Sequence, residues 1–273
     1  MHPFHQAVPT NPPDETLVTE AVGGNRRSLE LLLKRHQDYV FNVALRLFLH
    51  PDDALDATQE VLIKVVTSLK TFAGQSQFRT WLYRIVVNHF LNSPARRYEQ
   101  RLDRAADLST LPDDAPDREA DEAEIDEVRV LCSTAMLLCL TREQRLLYII
   151  GDIFGADHEL GAALFGLSPG NYRVRLHRAK ADLRQFVSGK CGLVDPRNPC
   201  RCPKKARVMI QQGVVDKDRL LFNRHYVQTI EQVLATRRET VSDTIQLAMS
   251  ELFRQSPFQI RQEIDQLFES LLP

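Results

Sequence analysis

Residues Asp52–Asn92 read DDALDATQEVLIKVVTSLKTFAGQSQFRTWLYRIVVNHFLN. Two helical patterns flank a short break at Ala73-Gly74-Gln75-Ser76. In the first, Leu55, Thr58, Leu62, Val65, Val66 and Leu69 recur at three- and four-residue spacing and so share one face. Asp52, Asp56, Gln59 and Glu60 fall away from that face. Pro51 stops what precedes, and Asp52 or Asp53 is the expected cap of the new helix. Ser76 is the expected cap of the second helix, which buries Phe78, Leu82, Ile85 and Val86. That helix turns Trp81, Arg84, Asn88 and Asn92 another way. A ring, a guanidinium and two amides at helical spacing suit a nucleic-acid strand: rings stack on bases, arginine contacts phosphate, amides read base edges. The same spacing also fits a half-buried tryptophan beside ordinary solvated polar residues, and spacing by itself leaves both readings open.

The chain has 273 residues, enough for about two domains at ~100–200 residues each. Its hydrophobic content of 43% suffices for a core, and a net charge of −1 favours no class of partner, since local patches decide that. No apolar run approaches the roughly 18 residues of a membrane span. The start, MHPFHQAVPTNPPDE, has neither a basic region nor an apolar core, so no signal peptide is read there and a cytoplasmic location is expected. No nucleophile–base pair, paired catalytic carboxylates or cofactor motif stands out, so no enzyme is expected.

Upstream, residues 1–27 read as a flexible leader containing the start of the first helix. Ser28–His50 carries Leu29, Leu32, Leu33, His36, Val40, Val43, Ala44 and Leu47 on one stripe of a long amphipathic helix. His36 on that stripe reads as a packed imidazole. With the quoted stretch this makes a three-helix domain over 28–97. Pro94 breaks the pattern, and Arg96, Arg97 and Arg101 add positive charge after it. Residues 98–122 are acidic and interrupted by Pro112 and Pro116, the composition of an extended linker.

A second helical domain is expected over 123–188. Thr141-Arg142-Glu143-Gln144 has the form of a capping box, and Leu146, Leu147, Ile149, Ile150, Ile153 and Phe154 follow as a buried run that Gly155 ends. His158–Phe165 is a short helix, Gly166-Leu167-Ser168 a tight turn, and Pro169–Phe186 a further helix with Ser168 as its cap. A helix, a glycine-containing turn and a capped basic helix form the layout of a helix-turn-helix. The last helix buries Tyr172, Leu176, Ala179 and Leu183 and exposes Asn171, Arg175 and Arg178, with Arg173 nearby. These types suit a major groove, and they equally suit a solvated basic face.

The wording of both stretches adds to the spacing. The acidic helix followed by FAGQSQFRTWLYRIVVNHFLN closely resembles region 2 of the sigma-70 family, nearest to its extracytoplasmic-function (ECF) members, with FRTWLYRI at Phe78–Ile85 the most specific part. The stretch from Leu140 to Arg184 resembles region 4, most clearly at Leu140–Gln144, Phe165–Ser168 and Arg175–Leu183. The resemblance implies an all-α fold: a region 2 bundle and a region 4 helix-turn-helix joined by the acidic linker. It implies that Asp56, Gln59 and Glu60 bind core RNA polymerase. It implies −10 promoter contacts from Phe72, Gln75, Ser76, Arg79, Trp81, Arg84 and Asn88, and −35 contacts from Asn171, Arg173, Arg175 and Arg178. Promoter DNA and an anti-sigma or other regulatory partner complete the expected associations. The chain departs from the family at Gly161, where a buried isoleucine is usual, and at Leu160 and Tyr172. Tyr172 is the side chain expected to fill the space beside Gly161. Gly161 and the long C-terminal tail motivate an alternative: a helical regulatory or sensor protein of sigma-like fold that binds polymerase or a partner without opening promoters.

Residues 189–207 hold Cys191, Cys200 and Cys202, with Pro196, Pro199 and Pro203 fixing turns between them. Thiolates so spaced are candidates to share one Zn²⁺, with Cys132, Cys139, His177 and Asp195 as candidate fourth ligands. Redox-reactive thiols and unligated structural thiols are the other readings. No cofactor is required by the sigma resemblance. Residues 208–273 read as a helical C-terminal extension, with apolar stripes at Leu220–Val233, Val241–Leu252 and Ile260–Leu271.

Overall fold

Asn25 opens the longest helix because its carboxamide accepts from the Ser28 amide, and the chain then runs helical through Phe48. In the computed structural model the described residues are 12–95 and 121–216, apart from 193, 212 and 214. The linker from residue 98 to 120, the basic Arg96, Arg97 and Arg101, and the extension beyond residue 216 lie outside them.

The described chain is all α-helical: α1 Asp14–Val22, α2 Arg26–Phe48, α3 Pro51–Ser68, α4 Phe78–Asn92, α5 Glu122–Ala135, α6 Arg142–Tyr148, α7 His158–Phe165, α8 Pro169–Lys190 and α9 Cys202–Gln211. By its packing it divides into two units. One holds residues 12–95 with Arg142–Leu176; the other holds 121–141 with 177–216. Helix α8 gives its first two turns to the former and the rest to the latter.

In the first unit α2 is the central rod. The expected stripe from Leu32 to Leu47 is buried together with Tyr39, and so is the opposite face with Phe41, Leu45 and Phe48. The later segment packs on both. Phe154 packs on Tyr39 with ring centroids 5.6 Å apart and lies under the Arg46 guanidinium, while Arg142 sits over Phe48. Such ring and cation interactions add to the area buried. Helix α4 is likewise buried on two sides, against α3 and against α7. Hence Tyr83, Val87, His89 and Phe90 are buried with the expected Phe78, Leu82 and Val86, while Ile85 is only half-buried. On α3 the stripe is shifted: Ala54, Ala57, Thr58, Val61, Leu62 and Val65 are buried, Leu55 is half-buried and Val66 is exposed.

Three local expectations are corrected. Residues 14–22 of the leader form a helix, because Leu17 and Val18 are buried as it packs on α2. The cap of α3 is His50, whose Nδ1 accepts from the Asp52 amide with Pro51 in the first turn, rather than Asp52 or Asp53. Helix α4 is capped not by Ser76 but by Glu15 of α1, whose carboxylate accepts from the Phe78 amide at 3.3 Å.

The run after α6 winds into one π turn at Ile149–Ile153, and Gly155 then reverses the chain at φ 69°. Asp157 caps α7 through the Leu160 amide, and Gly166 closes it at φ 66°. In the second unit, Asp121 and Glu124 exchange side-chain and backbone hydrogen bonds and so start α5, which packs on α9.

Candidate functional site

Three helical surfaces carry the residues singled out above. The first is the outer face of α3. Asp56 and Glu60 are exposed and Gln59 half-buried. One turn further on, Ile63 is 45% and Val66 39% exposed. Together with Leu29, Leu33, Leu62 and Arg26 these two apolar side chains line a shallow groove between α2 and α3. An apolar strip bordered by carboxylates and an amide is the composition of a protein-docking surface. Glu60 also faces inward: its carboxylate lies 3.3 Å from Nε2 of the buried His89 on α4, and Lys64 lies 2.9 Å from the Nδ1 of that ring. Helical spacing carries no signal for this His89 bridge, because the ring lies 25 residues beyond Lys64 and on a different helix.

The second surface is the loop before α4 and the outer side of α4. Gln75 and Ser76 are exposed, as are Arg84 and Asn88, so the polar stripe of α4 meets solvent. Phe72 and Trp81 are half-buried. They form a triangle with buried Phe78, with ring centroids 5.6–5.7 Å apart on each side. The triangle holds the loop onto the helix and leaves both outer rings partly exposed. Arg79 is half-buried, and its charge is felt at the buried Tyr83 hydroxyl, which burial pushes up and Arg79 draws back down. Of the expected −10 set, Phe72, Arg79 and Trp81 are half-buried and the other four are exposed.

Behind this surface stands a charge cluster in which His36 is buried and Asp14 and Arg35 are half-buried. Asp14 of α1 accepts from the Arg35 guanidinium and lies 2.9 Å from His36 Nε2. Burial by itself would raise the Asp14 carboxyl, but the hydrogen bonds and charges of His36 and Arg35 outweigh it and hold the group below its ordinary value. His36, edge-on to Phe78 and Tyr83, is thus a packed imidazole as expected.

The third surface is α8. Ser168 accepts from the Asn171 amide and caps the helix. Tyr172, fully buried, seats it: the ring lies on Gly161 and Gly151 so closely that neither position has room for a Cβ. Leu147, Ala162 and Leu176 close around it. Tyr172 thus fills the volume that Gly161 leaves. Asn171, Arg173 and Arg178 are exposed, while Arg175 is half-buried, bound to Glu143 of α6 and to the Asn171 side chain at 3.3 Å. Glu143 was not anticipated as a partner. None of the five cysteines is in a disulfide, and among the described residues no three metal-ligating side chains close around one point.

Comparison with known proteins gives the family. The family Sigma-70 region 2 matches residues 32–102. The ECF RNA polymerase sigma factor SigE of Mycolicibacterium smegmatis is 31% identical over 183 residues, covering 66% of this chain and 70% of that protein. The ECF RNA polymerase sigma-E factor of Haemophilus influenzae is 29% identical over 177 residues, covering 61% and 91%. A solved structure of CnrH in complex with the cytosolic domain of CnrY aligns with 25% identity and a TM-score of 0.47, over 64% of this chain and 97% of that one. The chain belongs to the ECF sigma factors of the sigma-70 family. As a member it is a non-catalytic regulator of transcription, not an enzyme. Among the described residues no helix is long and apolar enough to cross a membrane.

Proposed function

We propose that this chain binds core RNA polymerase and directs initiation at promoters that it reads at two elements. Asp56, Gln59 and Glu60 would contact the polymerase, with Ile63 and Val66 as the apolar part of the same surface. Phe72, Gln75, Ser76, Arg79, Trp81, Arg84 and Asn88 would hold the melted −10 strand. Asn171, Arg173, Arg175 and Arg178 would read the −35 duplex from the α8 face of a helix-turn-helix. Residues 98–122 would serve as the linker between the two readers.

The observation that carries this reading is the α4 surface. Half-buried rings are pinned at its head and an exposed arginine and amide continue along it, and this order of groups suits a single strand. Melting then requires no bond chemistry, since capture of unstacked bases offsets the stacking that the duplex gives up. The test is run-off transcription with core polymerase and genomic DNA. The full chain gives specific transcripts, and Trp81→Ala with Arg84→Ala abolishes open complexes while polymerase capture is kept. Asp56→Ala with Glu60→Ala does the reverse and weakens capture. Capture undiminished by the latter pair removes the α3 assignment; polymerase binding by the unaltered chain without any transcript favours the alternative of a sigma-like regulator that opens no promoter.

A further inference from the structure

We propose that Cys132, Cys191, Cys200 and Cys202 form a four-thiolate site for one zinc ion, built from three segments of the second unit. Helices α5 and α9 pack together, and Cys202 is the first residue of α9. Arg129, one helical turn before Cys132 on α5, hydrogen-bonds the Cys202 thiol, which sets Cys202 against the Arg129–Cys132 stripe. Cys191 follows directly on α8. The Asn198 amide donates to the carbonyls of Ser188 at 2.8 Å and Cys191 at 3.1 Å, folding the loop back onto the helix end. Gly192 then lies so close to the Cys200 carbonyl that a Cβ has no room, so Cys191 and Cys200 are neighbours. Four of the five cysteines of the chain thus lie on the segments that these contacts bring side by side, all half-buried and none in a disulfide.

Among the described residues no three of these side chains close around one point, so metal binding would draw the three segments together. Binding exchanges protons for metal: four S–H groups release four H⁺ and one Zn²⁺ takes the four thiolates, leaving a net charge of −2 beside Arg129 and Lys205. Four sulfur donors with no required redox step match tetrahedral Zn²⁺ best. The ion would tie the end of α8 to α5 and α9.

The test uses the full chain, stripped with chelator under reducing conditions and titrated with Co²⁺ and then Zn²⁺. One Co²⁺ per chain is expected, with the strong thiolate-to-cobalt absorption and visible bands of a tetrahedral site, displaced by one equivalent of Zn²⁺. Cys132→Ser and Cys200→Ser should each weaken Co²⁺ binding at least tenfold, and Cys139→Ser, outside the set, should bind as the parent does. Cys200 lies in a loop, so its variant reports on the metal even where Cys132→Ser disturbs α5. A folded parent chain that takes up no Co²⁺ in one-to-one ratio overturns the proposal, and so does Cys200→Ser binding with unchanged affinity and spectrum.

Discussion

Gly161 and Tyr172 act as one unit of volume. The sigma resemblance implies a buried isoleucine at position 161; here the ring of Tyr172 occupies that space and leaves no room for a Cβ. Gly161→Ile alone should therefore destabilise the fold by about 1–3 kcal/mol through overpacking. Tyr172→Val alone should cost about 3 kcal/mol through the cavity it leaves. The double variant should recover much of both losses, and urea titrations of the parent and the three variants measure that coupling; simple additivity would show that the two sites are independent. Asp14 supports a second prediction at this scale. Its carboxyl is held below its ordinary value, so the stability it contributes is present above pH 3.8 and is lost as pH falls through the lowered value. Asp14→Asn should thus be less stable than the parent at neutral pH, with the difference closing only in strong acid. Equal stability of the two proteins at neutral pH would show that the carboxylate contributes nothing there.

Helix α4 depends on distant parts of the chain at both ends. Glu15 caps its start, and at its finish Arg142 of α6 donates to the carbonyls of Phe90, Ser93 and Pro94. Cap removal typically costs about 1 kcal/mol, so Glu15→Ala should lower stability by that amount and raise amide exchange in the first turn of α4 above that of α2. Helix α8 is set differently. Its cap is local, from Ser168, and its seat is Tyr172. Its outer face keeps Arg173 and Arg178 exposed, whereas Arg175 is engaged by Glu143. Replacing both Arg173 and Arg178 by alanine should weaken −35 duplex binding and lower the salt slope by about one unit for each phosphate that is no longer neutralised. A binding curve unchanged at every salt concentration would remove α8 from the DNA-reading role. Glu143→Gln should act in the opposite sense by releasing Arg175.

At the scale of the whole molecule, the first unit poses a geometric constraint. It contains both α4 and the first turns of α8. A compact body of this size has a radius of gyration of about 13–14 Å. Promoter positions named −10 and −35 lie about 25 base pairs apart, roughly 85 Å of duplex at ~3.4 Å per pair. Both faces cannot engage one promoter while α4 and α7 remain packed. Fluorophores at the exposed Asn88 and Asn171 should therefore report a short distance in the free chain and a much longer one once core polymerase and promoter are bound. An unchanged distance in an active complex would show that only one of the two faces reads DNA.

Local sequence was sufficient where the physics is local. The periodicity of Asp52–Asn92, the Ser168-Pro169 start and the Gly166 turn specify helices and their ends through backbone geometry that neighbouring residues control. The outward stripe of Arg84 and Asn88, and the exposure of Asp56 and Glu60, were legible for the same reason: helical spacing alone separates them from the buried side. The family likeness rests on that same wording. What sequence could not decide was which apolar surfaces would find each other. The second buried faces of α2 and α4, the Glu15 and Arg142 caps, the Glu60–His89–Lys64 bridge and the Arg129–Cys202 contact all join residues separated by long stretches of chain. Hydrophobic burial is non-directional, so it favours compaction without naming a partner. Only the packed structure supplies the distances at which those charges and caps meet.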